Sequence, residues 1–125
     1  MLFLVMKKVI LGATGSIGSS LAKKLVESGN QVHLVGREEA SLSSLASELY
    51  STFTTCNVLE ENFSEKIIND LKDEPIDGLA FCIGSIDLKP LKLTKKSDFM
   101  QSFNLNLVSA TEVIRSLADN LKKNK

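Results

Sequence analysis

Lys8-Val9-Ile10-Leu11-Gly12-Ala13-Thr14-Gly15-Ser16-Ile17-Gly18 is a short apolar run that meets three glycines and passes at once into a helical pattern. The run has the length and bounds of a buried strand. Gly12 lets the chain turn tightly off that strand. Gly15 or its neighbour lets backbone approach a pyrophosphate, and Gly18 lets the following helix pack close to the sheet. The unpaired N–H groups of the first helical turn then face an anion. A glycine triplet between strand and helix, at the first βα turn, therefore reads as a dinucleotide cradle. The alternative is a tight turn in a sheet that binds nothing.

The rest of the chain repeats the same alternation. Residues 16–28 form the first helix, with Ile17, Leu21, Ala22, Leu25 and Val26 inward, stopped by Gly29-Asn30. Residues 31–35 form a second strand and 38–49 a second helix. Residues 52–56 form a β-branched third strand, and 61–73 a third helix broken at Pro75. Residues 76–83 form a fourth strand, and a polar loop with Pro90 follows. The last helix spans 97–121, capped by Ser97, with Phe99, Phe103, Leu107, Ala110, Ile114, Leu117 and Leu121 as its apolar line. Strands alternating with helices predict an α/β fold. We expect a Rossmann-like parallel sheet, order 3-2-1-4, with helices on both faces and one domain over residues 1–125.

A dinucleotide site reads the adenosine ribose at the end of the second strand. An acidic residue there favours the 2′-hydroxyl of NAD(H). This chain has Gly36 followed by Arg37, whose guanidinium pairs with a phosphate, so NADP(H) is favoured. Glu38 and Glu39 oppose that reading, although both also suit a helix start.

The chain has 125 residues, 43% hydrophobic and 24% charged, with Lys+Arg and Asp+Glu equal at 15 each. That is too apolar for disorder and carries no global basic field. We expect no nucleic-acid or membrane partner. No run approaches the roughly 20 apolar residues of a membrane span. Residues 1–6 read as a start-site extension with Met6 as a second initiator, and Lys122, Lys123 and Lys125 as a solvated end. Two cysteines and one histidine make no metal cluster. Cys56 and Cys82 end strands three places apart, roughly 14 Å, too far to bridge. The thiols suit a reducing cytoplasm. His33 reads as a packed strand residue, and Asp87 with Lys89, Lys92, Lys95 and Lys96 as a solvated loop.

With these elements in order, the sequence resembles the short-chain dehydrogenase/reductase family from about Lys7 to Leu121. The family's T-G-x-x-x-G-x-G motif falls on residues 11–18, with Leu11 for the threonine and Ser16 for the middle glycine. Gly15 gives the G-x-x-G-x-x-G spacing of the extended and atypical branches. The resemblance implies cofactor contacts from Gly12, Thr14, Gly15, Ser16, Ile17, Gly18 and Arg37. It implies adenine contacts from Asn57 and Val58, which stand at the family's Asp-Val pair. Cys82, Ile83 and Gly84 stand in its N-N-A-G motif, where only the glycine matches. Asn106 matches the structural and proton-relay asparagine, with Asn104 two residues away as the neighbouring candidate.

The family's hydride chemistry also needs a serine and a Y-x-x-x-K pair. The single tyrosine, Tyr50, is followed four residues later by Thr54. In the two-half dinucleotide fold such groups come with later strands. We therefore expect a truncated chain, the cofactor half of an oxidoreductase, ending after the helix that follows strand four. The alternatives are a non-catalytic dinucleotide-binding or redox-sensing module acting through a partner, and a folded remnant that binds nothing. An uncovered fourth strand and the 97–121 helix predict self-association.

Overall fold

The computed structural model describes residues 7–85 and 88–122. The expectations for residues 1–6, Asp87, Lys123 and Lys125 lie outside these. The first part runs β1 (Lys7–Leu11), α1 (Ser16–Glu27), β2 (Gln31–Gly36), α2 (Glu39–Leu49), β3 (Thr52–Thr55), α3 (Phe63–Leu71) and β4 (Gly78–Phe81). The strands form one parallel sheet in the order β3-β2-β1-β4. Parallel neighbours need crossover helices, and the sequence places one between each pair of strands.

Both faces of the central strands are covered, so β1 and β2 are nearly continuous apolar runs. Val9, Leu11 and Val35 face Phe63, Ile67 and Leu71 of α3. Ile10, Val32 and Leu34 face Ala22 of α1 and Leu42, Leu45 and Ala46 of α2. Alternate residues of one strand thus feed two cores, as the two-residue side-chain period requires.

The helix ends follow from local chemistry. At the end of α1 the N–H of Asn30 bonds the Leu25 carbonyl (2.9 Å) and that of Gly29 bonds Val26 (3.0 Å). Gly29 has φ +89°, so this is the left-handed glycine stop read from the sequence. At the end of α2 the same left-handed position is held by Tyr50, φ 53° and ψ 43°. Its ring is 97% exposed, so Tyr50 terminates a helix.

Two expectations about apolar faces are corrected. Ile17 is 76% exposed. Gly18 makes the inward contact of the first turn of α1, which rotates Ile17 outward. The last helix is also not one regular helix over 97–121. It starts at α4 (Lys96–Phe103), widens to a π segment over Asn104–Val108, and continues as α5 (Ser109–Ser116). Leu117 breaks it before α6 (Ala118–Lys122). Ser97 is not its cap: Asp98 reaches back and accepts the Lys95 N–H at 2.8 Å.

The buried line of this helix is Ser109, Val113 and Leu117, with Leu105 packed beside it. Phe99, Phe103, Leu107 and Ile114 are about half exposed. The helix carries two apolar stripes, and the one beside α3 and β4 takes the core. Ser109 joins it because its hydroxyl donates to the Leu105 carbonyl (2.7 Å). A serine bonded back to its own helix leaves no unpaired polar atom.

β4 is an edge strand among the described residues, and all four of its residues are only partly buried. Cys56 and Cys82 are unpaired and belong to opposite cores.

Candidate dinucleotide-binding site

β1 neighbours both β2 and β4, so the chain order reverses at its C-terminal end. Crevices at such a switch point take ligands. The glycine turn lies there. Gly12 has φ +77°, and a Cβ on it would stand 2.5 Å from the Cys82 carbonyl oxygen. Its N–H bonds the Val35 carbonyl (3.0 Å), while Leu11 accepts from the Cys82 N–H (2.9 Å). The turn is thereby tied to both neighbouring strands. A Cβ on Gly18 would lie 2.1 Å from the Gly12 carbonyl oxygen, so the bare glycine sets how closely α1 seats. Gly15, the N-cap, has ordinary φ −73° and ψ 170°.

The start of α1 has no side-chain cap and no acidic residue in its first turn. Its leading N–H groups therefore lack a protein anion, and the positive helix end opens onto the crevice. Thr14, Gly15, Ser16 and Ile17 are exposed around it. These residues fit a pyrophosphate: a glycine turn with uncapped donors and no acidic residue in the first turn of α1.

The other sequence-selected residues follow the same sheet edge. Gly36 ends β2 beside Thr14, whose hydroxyl would lie 3.8 Å from a Cβ there. Arg37 comes next, exposed and without an ion pair among the described residues. Glu38 does not neutralise it; its carboxylate instead accepts from the Ser41 hydroxyl (3.2 Å). Asn57 follows β3. Its side-chain oxygen accepts the Leu59 N–H (2.9 Å), and its own N–H donates to Glu60 (3.2 Å). Val58 is buried beneath that turn. Sequence reasoning passed over Glu60, although Asn followed three residues later by Glu is a readable turn signature.

Cys82, Ile83 and Gly84 continue from β4, and Asn106 reaches this loop from the π segment. Its side-chain oxygen accepts the Ser85 N–H (3.1 Å), and its amide donates to the Ser85 carbonyl (3.0 Å). The same amide donates to the Ser102 carbonyl (3.0 Å) and hydroxyl (3.2 Å). A π turn disrupts the i→i−4 ladder, and the Asn106 amide serves the carbonyl four residues back. Ser85 and Ser102 were not singled out from sequence. Only the four-residue spacing from Ser102 to Asn106 pointed to a pair. Asn104 makes no such contact with the described loop residues.

Asn106→Ala should remove this clamp and cost about 1–2 kcal/mol, since water replaces part of each bond. Thermal melting should fall by about 5 °C. Asn106→Asp should cost at least as much, because it replaces the donating amide with a carboxylate oxygen, an acceptor, facing two carbonyls. An unchanged melting point for Asn106→Asp would overturn this role.

Elsewhere, Ser85, Lys89, Thr94, Asp98, Phe99 and Asn106 line a cleft of about 330 Å³ against α4. Lys89 crosses its mouth to Asp98 at 2.8 Å. Burial pushes the Cys56 thiol up to about 11, so it stays protonated and inert. Among the described residues no group of three metal-ligating side chains forms, and no helix is long and apolar enough to cross a membrane.

The chain is similar in fold to several solved structures. One is an L-sorbose reductase from Gluconobacter frateurii, complexed with NADPH and L-sorbose: TM-score 0.89, 16% identity, 96% of this chain and 49% of that one. Another is a 3-oxoacyl (acyl-carrier-protein) reductase from Agrobacterium tumefaciens C58 with NADP bound: 0.83, 17%, 95% and 48%. A third is a carbonyl reductase from Pseudomonas aeruginosa PAO1: 0.83, 22%, 94% and 55%. The chain therefore spans about half the length of these structures. A search of curated proteins finds no match. The short chain dehydrogenase family model matches residues 7–125. With the family's sheet order and glycine turn both present, the chain belongs to the short-chain dehydrogenase family.

Proposed function

We propose that these residues bind NADP(H) as the cofactor-binding half of a carbonyl or alcohol oxidoreductase. The observation that carries this reading is the uncapped glycine turn with Arg37, which has no ion pair among the described residues, at the adjoining strand end. The backbone N–H groups of Ser16, Ile17 and Gly18 hold the pyrophosphate. Arg37 meets the 2′-phosphate, and Asn57 with Val58 forms the adenine wall. Asn106 fixes the Gly84–Ser85 backbone beneath the nicotinamide side. The bound cofactor supplies the hydride. The proton donor and its lysine do not occur among these 125 residues, so the redox step needs groups from outside them. The setting is the reducing cytoplasm, where both thiols stay free.

Isothermal titration with NADPH and NADH tests this. NADPH should bind at least tenfold more tightly than NADH. No heat and no melting shift at millimolar concentrations of either would remove the reading.

Phe99, Phe103, Leu107 and Ile114 form a half-exposed apolar stripe along the last helix, and β4 is an open sheet edge among the described residues. Such surfaces mark association sites. The chain pairs with a second copy through this stripe or the β4 edge. Sedimentation should show a dimer at high micromolar concentration, and a monomer there would overturn it.

A further inference from the structure

His33 stands in the middle of β2, between Val9 of β1 and Thr52 of β3 in register, and is 1% exposed. Both ring nitrogens are used. Nδ1 lies 2.7 Å from the Thr52 hydroxyl and Nε2 lies 2.7 Å from the Thr54 hydroxyl. Thr54 spends its own hydrogen on the Asp70 carboxylate of α3, at 2.6 Å. Its oxygen must therefore accept from His33, so Nε2 carries the ring proton. Nδ1 is then bare and accepts from Thr52. The direction of every bond in the chain Thr52–His33–Thr54–Asp70 is set, and the chain joins three elements through one neutral imidazole.

We propose that Thr52, His33, Thr54 and Asp70 form an acid-released latch that holds the outer edge of the sheet, β3 with α3, onto β2. A second proton can enter only at Nδ1, where Thr52 now donates. Thr52 would have to reverse, and a cation would appear at a ring that is buried. The charged groups acting on it are Lys7 from β1, Asp70 from α3 and Glu74 from the turn after α3; β3 contributes only hydroxyls. Lys7 opposes the charge, and its own ammonium is paired with Glu74 at 3.0 Å.

Burial first, then Lys7, lowers the His33 pKa from 6.5 to about 4. A depressed pKa means stability that is present above 6.5 and lost as pH falls toward 4. By pH 5 the equilibrium for opening the latch should rise about 30-fold. β3 is a four-residue edge strand, so it is the segment that opens at least cost. Its continuation is Cys56-Asn57-Val58. Acid would therefore also loosen the adenine wall. That last consequence rests on the cofactor reading above, whereas the latch does not.

His33 is the single histidine, so its ring nitrogens give one resolved pair of NMR signals. The experiment uses the full chain without cofactor, which separates it from any failure to bind dinucleotide. At pH 7.5 Nε2 should be protonated and Nδ1 bare, and the ring should charge only well below pH 6.5. Hydrogen-exchange protection, corrected for intrinsic rates, should fall at least tenfold in β3 and α3 between pH 7 and 5, ahead of β1. His33→Gln keeps a donor and an acceptor but cannot charge, so its β3 protection should hold across that range. An Nδ1–H tautomer, a midpoint near 6.5, or loss of protection spread evenly over the sheet would overturn the latch. These wild-type readouts decide the matter even if His33→Gln fails to fold.

Discussion

Gly18→Ala is expected to lower the melting temperature by on the order of 10 °C and to abolish dinucleotide binding. The new methyl would lie 2.1 Å from the Gly12 carbonyl oxygen and 2.8 Å from its carbon. Both atoms are backbone, so no side chain can rotate away. Either α1 must lift from the turn or Gly12 must move. Gly12 cannot move freely, because its N–H is bonded to Val35 and its own Cβ position is filled by the Cys82 carbonyl. Forcing an extra carbon into a packed site costs about 1–3 kcal/mol, and rigid backbone on both sides puts this one at the top of that range. The sharper comparison is Gly15→Ala. That Cβ would come no closer than 3.4 Å to the Gly12 oxygen, and its φ of −73° suits alanine. Gly15→Ala should melt within about 2 °C of wild type while still weakening NADPH binding, because its methyl stands where phosphate approaches. Thermal melts and titrations on the pair separate the glycine that seats the helix from the one that admits the ligand. If both variants melt alike, the geometric argument for Gly18 fails.

Why the sheet was legible and the last helix was not comes down to what each pattern constrains. Val9, Ile10 and Leu11 are consecutive apolar residues because a central parallel strand is covered on both sides. Gly12 and Gly18 mark positions where only backbone fits, and Gly29 marks a left-handed stop. Such features are local, so they survive in the bare sequence. The strand order followed from alternation and crossover handedness. The helix after β4 carries apolar residues on two faces, and periodicity alone does not say which one meets the core. Leu105, Val113 and Leu117 do, since α3 and the β4 residues Leu79 and Phe81 lie on that side. The π widening at Asn104–Val108 also shifts the residue count by part of a turn, and no residue in the segment announces it. In the site, Gly12, Arg37 and Asn57 were legible as types at strand ends. Their partners were not. Ser85, Ser102 and Glu60 serve through hydrogen bonds that depend on where the backbone lies. His33 was read as a packed strand residue, and it is one. The hydroxyl chain to Asp70 depends on the register of β2 with β3, which sequence does not give.

Arg37→Ala should weaken NADPH binding by about 10- to 50-fold and leave NADH binding within about twofold. Arg37 follows Gly36, the last residue of β2, which lies beside Thr14. It has no carboxylate partner among the described residues, and neighbouring Glu38 is occupied by Ser41. A cation without an ion pair among the described residues loses little by turning to a phosphate. A charge-assisted hydrogen bond contributes about 1.5–3 kcal/mol. Arg37 is exposed, so solvent and salt reduce this, which sets the lower end of the range. Only NADP(H) carries the 2′-phosphate, hence the predicted asymmetry. Raising the salt should shrink the wild-type preference and leave the variant almost unaffected. An equal loss for both cofactors would mean that Arg37 supports the fold at the end of β2 and reads no phosphate. No loss for either would place the 2′-phosphate elsewhere, and Gly36 would then be the position to test, since an acidic residue there would repel it.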